Sequence, residues 1–288
     1  IGMKPVVVAD YKNIVGKGPL WHPKKNILFW IDIMAGRIFT LDPSTGDHSL
    51  FHQGGILGGF TFQTDDSLLL FMEKNSVAIL RDGKTEYLID KDETLDEDAR
   101  FNDVIADPKG RVFCGTMPTD NKAATLYRMD LDGSIKTILT DVGLSNGLGF
   151  TPDGSKLYYT DSFARKIYVF DYDIDSGDIG NQKVFVETPE GDGIPDGMTV
   201  DVDGNVWSAR ANGSALYRYT PEGVQNLKID FPAKMVSSAI FGGENLSDLY
   251  VTTIGGNDRE NQGSGAGALF KVETQTSGMH EFFSRVGI

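Results

Sequence analysis

The stretch NGLGFTPDGSKLYYTDS, residues 146–162, holds an apolar run, a turn rich in Asp and Gly, and a second apolar run. Five other stretches of the chain follow the same order. The six copies begin at Lys17, Gly58, Asn102, Asn146, Asp196 and Ser237, at spacings of 41, 44, 44, 50 and 41 residues. A β-rich repeat of this length is typical of a propeller, in which each unit stacks on its neighbours to bury a core. The pattern predicts an all-β, six-bladed β-propeller of four-stranded blades, formed by residues 1–288 as a single domain.

One strand-like segment, KPVVVAD at residues 4–10, lies outside the six units. We predict that it completes the last blade and pairs near GALFKVET (267–274) or MHEFFS (279–284). Such pairing closes the ring of blades and removes an exposed strand edge. No segment shows a long apolar period of 3.6 residues with caps, so very little helix is expected.

The composition limits the partners and the compartment. A net charge of −14 disfavours nucleic acid and anionic membranes, since both need a basic footprint. The chain contains no run of about 18 apolar residues, so a transmembrane helix is not expected. The single cysteine, Cys114, suits a reducing compartment. We therefore expect a cytoplasmic protein that binds neither nucleic acid nor anionic membranes. We also expect a monomer or dimer.

The six residues that begin the copies, called the register residues below, are a candidate site. Equivalent positions of the innermost strands converge on the propeller axis, so these side chains meet. Asn146 and Asp196 offer hard oxygen ligands, with Asn102 and Ser237 nearby, and such oxygens suit a divalent cation. The Asn-Gly and Asp-Gly pairs could instead form turns. We favour the site, because both pairs precede an apolar run and share the register of copies that are not turns.

Three further stretches are predicted to be loops: residues 91–99, 187–195 and 255–267. The acidic spacing of the first lacks the glycine of an EF-hand, so calcium binding is not expected there. The glycines of the third match no phosphate-binding pattern, because no strand-to-helix context surrounds them. The third could lie over the site, and all three, with residues 119–123, are expected to influence specificity.

Segments along nearly the whole chain resemble the SMP-30/gluconolactonase/regucalcin-like family of six-bladed propellers. They are GKGPLWHP, ARFNDVIADPKGRVFCGTM, LSNGLGFTPDGSKLYYTDS, GIPDGMTVDVDGNVWSAR and SSAIFGGENLSDLYVTT. The resemblance implies hydrolysis of a sugar-type lactone at one divalent metal (Ca, Zn, Mn or Mg) in the central channel.

Site residues also follow from this resemblance. Asn146 and Asp196 fall on two metal ligands, and Asp196 also falls on the general base. Arg100 and Asn102 fall on substrate-contacting positions, and Asp120 falls where the family often has an acidic residue that contacts substrate hydroxyls.

The chain departs from the family at one ligand, because Lys17 stands where the family motif carries Glu. A protonated lysine is only a donor and cannot bind a metal. Lys17 could be an engineered change, could mark a natural member that lost the metal, or could place its ammonium where the metal would be. A Lys17–Asp196 pair is neutral without metal, so we predict weak or absent metal binding. The alternative geometry turns Lys17 to solvent and leaves a metal on Asn146, Asp196 and water.

The leading hypothesis is thus a lactonase whose metal site Lys17 compromises. A propeller that binds a sugar acid or polyol without catalysis is the first alternative. An organophosphate or aryl-ester hydrolase is the second, since it shares the architecture and the metal chemistry.

Overall fold

The computed structural model describes residues 2–91 and 98–288 of the chain. Twenty-four strands form six antiparallel sheets of four strands each, arranged as the six blades of a β-propeller. The six units, the four-stranded blades and the all-β class predicted from the repeat are confirmed. A four-residue 3₁₀ helix, Arg259–Gln262, is the only helix among the described residues. No helix in the described part of the chain is long and apolar enough to cross a membrane.

The strands have the following bounds in chain order. Strand β1 is Val6–Asp10 and belongs to the last blade. The first blade contains β2 Gly16–His22, β3 Ile27–Asp32, β4 Arg37–Asp42 and β5 Asp47–Gln53. The second contains β6 Leu57–Phe62, β7 Leu68–Met72, β8 Val77–Arg81 and β9 Lys84–Ile89. The third contains β10 Phe101–Ala106, β11 Val112–Thr116, β12 Ala124–Met129 and β13 Ile135–Val142.

The fourth blade contains β14 Ser145–Phe150, β15 Lys156–Asp161, β16 Lys166–Tyr172 and β17 Ile179–Glu187. The fifth contains β18 Ile194–Val200, β19 Val206–Ala211, β20 Ala215–Tyr219 and β21 Gln225–Asp230. The last contains β22 Val236–Gly242, β23 Asp248–Thr253 and β24 Ala268–Glu273.

Strand β1 closes the ring as the fourth strand of the last blade. It pairs antiparallel with β24, with Val6 opposite Lys271 and Asp10 opposite Ala268. Of the two predicted pairing regions, GALFKVET is therefore correct and MHEFFS is not. The N-terminal strand thus supplies the fourth strand of the last blade, so this blade has four strands like the other five.

Burial falls from the propeller axis outward. Every residue of the inner strand β6 is buried, whereas nearly all of the outer strand β5 is exposed. The inner strands are covered on both faces because neighbouring blades stack face to face. Aromatic contacts fill these interfaces, as where Trp207 of the fifth blade meets Phe241 of the last edge to face, with ring centroids 5.4 Å apart. The predicted Asp- and Gly-rich turns connect consecutive strands of the blades. In the turn between β10 and β11, Asp107 accepts from the backbone N–H of Lys109 at 2.9 Å.

The C-terminal segment, residues 277–288, crosses the lower end of the central channel. Gly278 bridges to Asp201 of the fifth blade, and Ser284 bridges to Gln63 of the second. Arg285 donates its backbone N–H to Gly110 O of the third blade at 2.9 Å. The lower end is therefore covered by the chain's own tail, and the register residues lie at the opposite, upper end.

Glu281 lies in the middle of this tail and lines a small cavity of about 70 Å³ between the tail and the inner strands. Burial raises the pKa of its carboxyl group from 4.5 to about 7. A raised pKa means that the folded protein holds a proton that the unfolded chain has lost between these pH values. The stability contributed by Glu281 is thus full below pH about 4.5 and lost as pH rises through about 7.

We expect Glu281→Gln to remove this loss. The melting temperatures of the parent protein and the variant should converge or cross as pH rises from about 4.5 to 8, with a relative change of about 1–3 kcal/mol in the free energy of unfolding. Thermal unfolding at several pH values would measure it. A difference between the two proteins that stays constant over this range would show that the carboxyl group is not held protonated.

Candidate functional site

Five of the six register residues lie at an interruption of strand pairing. The ladder between the two innermost strands is irregular around Asn102, Asn146, Asp196 and Ser237, and also at Gly58. In the first blade the irregularity follows Lys17 directly. A bulge leaves residues without a ladder partner and redirects their side chains. The Asn-Gly and Asp-Gly pairs are thus part of bulged strands β14 and β18 and not turns.

Gly58 shows how closely the inner strands approach. A Cβ atom added there would lie 1.8 Å from Phe101 O of the next blade. The second blade therefore has no register side chain, and the centre is formed by the other five blades.

The ammonium of Lys17 lies at the centre of the site. The side chain is 2 % exposed, although it carries a full charge. Its Nζ donates to Asp196 Oδ1 in a short ion pair, to Asn146 Oδ1 at 2.9 Å and to the backbone oxygen of Ser237 at 3.0 Å. Asp103 Oδ2 is a further neighbour at 3.3 Å. All three N–H groups thus have acceptors, and the alternative in which Lys17 turns to solvent is wrong.

The two asparagines are fixed by each other. Asn102 Nδ2 donates to Asn146 Oδ1 at 2.9 Å and to Ser145 O at 2.8 Å. Asn146 Nδ2 donates to Ser162 Oγ at 2.7 Å, and Ser162 Oγ donates to Pro195 O at 2.6 Å. This network joins three blades and orients Asn146 Oδ1 toward Lys17, because its other atom is held by Ser162.

Asp196 is the buried carboxylate of the site, with 6 % of its surface exposed. Burial raises its pKa to about 6; Lys17 acts in the opposite direction, and Asp103 adds to the rise. A carboxylate with this pKa is largely ionised at pH 7 and is a stronger base than an exposed one.

Arg100 provides the second cation, at the upper edge of the site. Its Nη1 donates to Phe101 O at 3.0 Å and to Asn102 Oδ1 at 3.2 Å. Burial lowers the pKa of the guanidinium to about 10, and Asp103 and Asp196 partly offset this effect. Arg100 is therefore charged at pH 7. Together Lys17, Arg100, Asp103 and Asp196 carry no net charge.

A cavity of about 220 Å³ opens above these groups. Lys17, Asn102, Asn146 and Asp196 form its polar base, and Arg100 lies at its edge. Apolar side chains form most of its wall. This volume is smaller than the range of about 300–1,000 Å³ typical of pockets for drug-sized ligands. The cavity therefore suits a small molecule.

The donor set does not fit a resident divalent cation. The oxygens of Asn146 and Asp196 that would bind a metal both face the ammonium of Lys17. A metal placed among them would lie beside a positive charge and would have to displace it. The described residues also contain no group of three or more His, Cys, Asp or Glu side chains suited to a metal. The divalent metal implied by the family resemblance is thus at odds with these side chains.

The structure brings five of the predicted residues together: Lys17, Arg100, Asn102, Asn146 and Asp196 all line one cavity. Asp120 is exposed, in the segment between β11 and β12, and is not among the described lining residues. Its role as a substrate contact stays a prediction. Ser237 contributes its backbone oxygen instead of its side chain, whose Oγ donates to Gly16 O at 2.5 Å.

Asp103 contacts Lys17, but the repeat did not predict it as a site residue. It follows a register residue directly, and strict strand alternation places it on the opposite face. The irregular pairing between Phe101 and Val104 breaks that alternation, so both Asn102 and Asp103 approach the channel. The dipeptide Asn102–Asp103 was the available signal.

The structure describes two of the three predicted loops completely and the other in part. Residues 92–97 of the loop 91–99 lie outside the described residues. In the loop 187–195, Arg165 donates to Gly193 O at 2.6 Å and to Thr188 O at 3.1 Å, which holds the backbone that leads into Asp196. The loop 255–267 contains the 3₁₀ helix Arg259–Gln262.

Comparison with known proteins gives several matches over the whole length. The pentonolactonase XacC of Haloferax volcanii is 43 % identical over 286 residues, which cover 97 % of each chain. The 6-deoxy-6-sulfogluconolactonase of Pseudomonas putida is 31 % identical, over 88 % of this chain and 87 % of that one. The crystal structure of a calcium-binding protein, regucalcin from Agrobacterium tumefaciens, superposes with a TM-score of 0.90 over 99 % of this chain and 98 % of that one, and its 21 % identity supports the fold alone.

The family model described as SMP-30/Gluconolactonase/LRE-like region matches residues 15–255. This range begins just before β2, which carries Lys17, and ends just after β23. This match covers all six inner strands. The chain therefore belongs to the SMP-30/gluconolactonase family, with a lysine at the centre of its channel.

Proposed function

We propose that this protein hydrolyses a sugar-type lactone, and that it does so with the ammonium of Lys17 in place of a divalent metal. The observation that carries the proposal is the set of oxygens around Lys17 Nζ, from Asp196, Asn146 and Ser237. Relatives named pentonolactonase and 6-deoxy-6-sulfogluconolactonase support the reaction class. A single charge at the channel centre supports a slower reaction than a divalent cation would give.

Asp196 acts as the general base. A carboxylate has two oxygens, so Asp196 can accept from Lys17 and still take a proton from a water molecule. The water oxygen attacks the lactone carbonyl carbon while its proton passes to Asp196. When the tetrahedral intermediate collapses, the ring C–O bond breaks and Asp196 returns the proton to the leaving oxygen. The product is the open-chain hydroxy acid.

Arg100 stabilises the oxyanion that forms at the carbonyl oxygen. A guanidinium has five N–H donors, and Nη1 uses its two on Phe101 O and Asn102 Oδ1. None of its other three N–H groups donates a hydrogen bond to an acceptor among the described residues. Arg100 lines the cavity, and its guanidinium is a charged donor already held in place before the reaction.

Lys17 contributes position and charge. Its three N–H groups are taken up by Asp196, Asn146 and Ser237 O, so it cannot donate directly to the substrate. Its ammonium lowers the pKa of Asp196 and keeps this carboxylate ionised despite its burial. The role of Lys17 is therefore to hold the base, and its positive charge acts on the oxyanion only through space.

The metal requirement tests this proposal most directly. We expect the parent protein to open gluconolactone or a pentonolactone at a rate that a chelator does not change, after correction for spontaneous hydrolysis. Lys17→Glu restores a carboxylate at the centre, and its activity should depend on added Ca²⁺, Mg²⁺, Mn²⁺ or Zn²⁺.

The same ions should raise the melting temperature of Lys17→Glu alone, by about 5 °C at a concentration one hundred times Kd. Parent activity that is abolished by chelation and restored by metal would contradict the placement of Lys17. Binding of sugar acids without opening of any lactone would select the non-catalytic alternative.

The base is tested by Asp196→Asn. The amide cannot take the proton, so kcat should fall by about 10²–10⁴-fold. Asp203→Asn is the matched control, because Asp203 lies exposed at the lower turn of the same blade. Circular dichroism and melting temperature would establish that both variants fold. Full activity in Asp196→Asn would remove Asp196 from the mechanism and leave the reaction class intact.

A further inference from the structure

The repeat places a second set of residues in register above the first. The residue two positions before each register residue is Val15, Ile56, Arg100, Leu144, Ile194 or Met235. We call these six the entrance ring. Five of them are apolar and one is a cation, and all except Ile56 line the cavity above Lys17. Among the described residues, the side chains above the channel centre are therefore largely apolar.

The neighbouring strands extend this apolar surface. Ile33 donates its backbone N–H to Val15 O at 2.9 Å, and Ile254 donates to Met235 O at 2.9 Å. Ala211 stands opposite Ile194 in the same way. Ile33, Ala211 and Ile254 also line the cavity. The apolar wall is thus two residues wide in three of the six blades.

The polar base of the cavity has few groups left for a ligand. Asn102 and Asn146 use both amide hydrogen-bonding atoms on each other, on Arg100, on Lys17 and on Ser162. The N–H groups of Lys17 are all taken up as well. Arg100 and Asp196 remain, and the reaction itself occupies both.

We infer that the entrance ring selects hydroxyl-poor lactones, in which a deoxy carbon or a short alkyl group replaces a hydroxylated substituent. The inference rests on the proposed lactonase function and names the substrate class for it. A hydroxyl group held against Leu144, Ile194 or Met235 loses its water and gains no partner, whereas a methyl group there buries apolar surface. The volume of about 220 Å³ limits the substituent to a short one.

A pair of lactones that differ by one hydroxyl group gives the sharpest test. L-rhamnono-1,4-lactone is the 6-deoxy form of L-mannono-1,4-lactone, so the two differ only at C6. Their opening would be followed by pH-stat titration, with gluconolactone and δ-hexalactone as the hydroxyl-rich and hydroxyl-free extremes. We expect kcat/KM to be about 10–200-fold higher for the deoxy member, the range found when one small group is recognised by an apolar pocket.

Each outcome bears on a different claim. Equal or higher kcat/KM for the hydroxylated member would overturn the inference and leave the lactonase function standing. If none of the four lactones is opened, the proposed function fails, and the inference fails with it. A preference for the deoxy lactone supports both.

A substitution in the ring ties the preference to these residues. Met235→Gln keeps the side-chain length and adds an amide, so the kcat/KM ratio of deoxy to hydroxylated lactone should fall by about tenfold. Met3→Gln is the matched control, because Met3 precedes β1 and packs on the outer part of the last blade. An unchanged ratio in a folded Met235→Gln would exclude the ring as the source of selectivity.

Discussion

Inner strands from all six blades meet around one axis, and a polar group placed there must find its partners within the ring. The inner strands are too close for water to surround such a group, as the 1.8 Å distance to a Cβ at Gly58 illustrates. An unpaired charge at this depth is costly, and a paired one is tolerated when its hydrogen bonds are complete. Lys17 and Asp196 meet this condition together, with Asn146 and the Ser237 carbonyl supplying the other acceptors.

This pairing determines what the site can do. A divalent metal would bring two charges and open coordination positions for a substrate carbonyl. An ammonium with three acceptors brings one charge and no open donor. In the proposed mechanism, catalysis therefore depends on the carboxylate of Asp196 and the guanidinium of Arg100. Their separation from bulk water keeps each electrostatic effect larger than it would be at the surface.

The two ends of the channel differ in what covers them. Residues 277–288 cross the lower end and bond to the second, third and fifth blades. At the upper end, all entrance-ring residues except Ile56 line the same cavity as Asp196. The repeat itself produces this layered arrangement, because residues two apart on an inner strand lie one above the other at the same face. One layer is polar and contains the proposed general base, and the next is mostly apolar and is the layer that we propose contacts the substituents of the lactone.

The repeat predicts the six blades and the convergence of Lys17, Asn102, Asn146 and Asp196, because a constant register places equivalent positions around one axis. The strand-like segment outside the repeat predicts the closing strand, and the family resemblance adds Arg100. It also identified Lys17 as the departure from the family pattern. The inward direction of Lys17 and the oxygens it contacts follow from the assembled fold, since those partners come from blades up to 220 positions away in the chain. It likewise decided the approach of Asp103, which depends on a bulge that strand alternation does not foresee. The raised pKa of Asp196 and the closure of the lower end by the tail were also beyond the sequence, because burial and long-range docking arise only when all six blades are assembled.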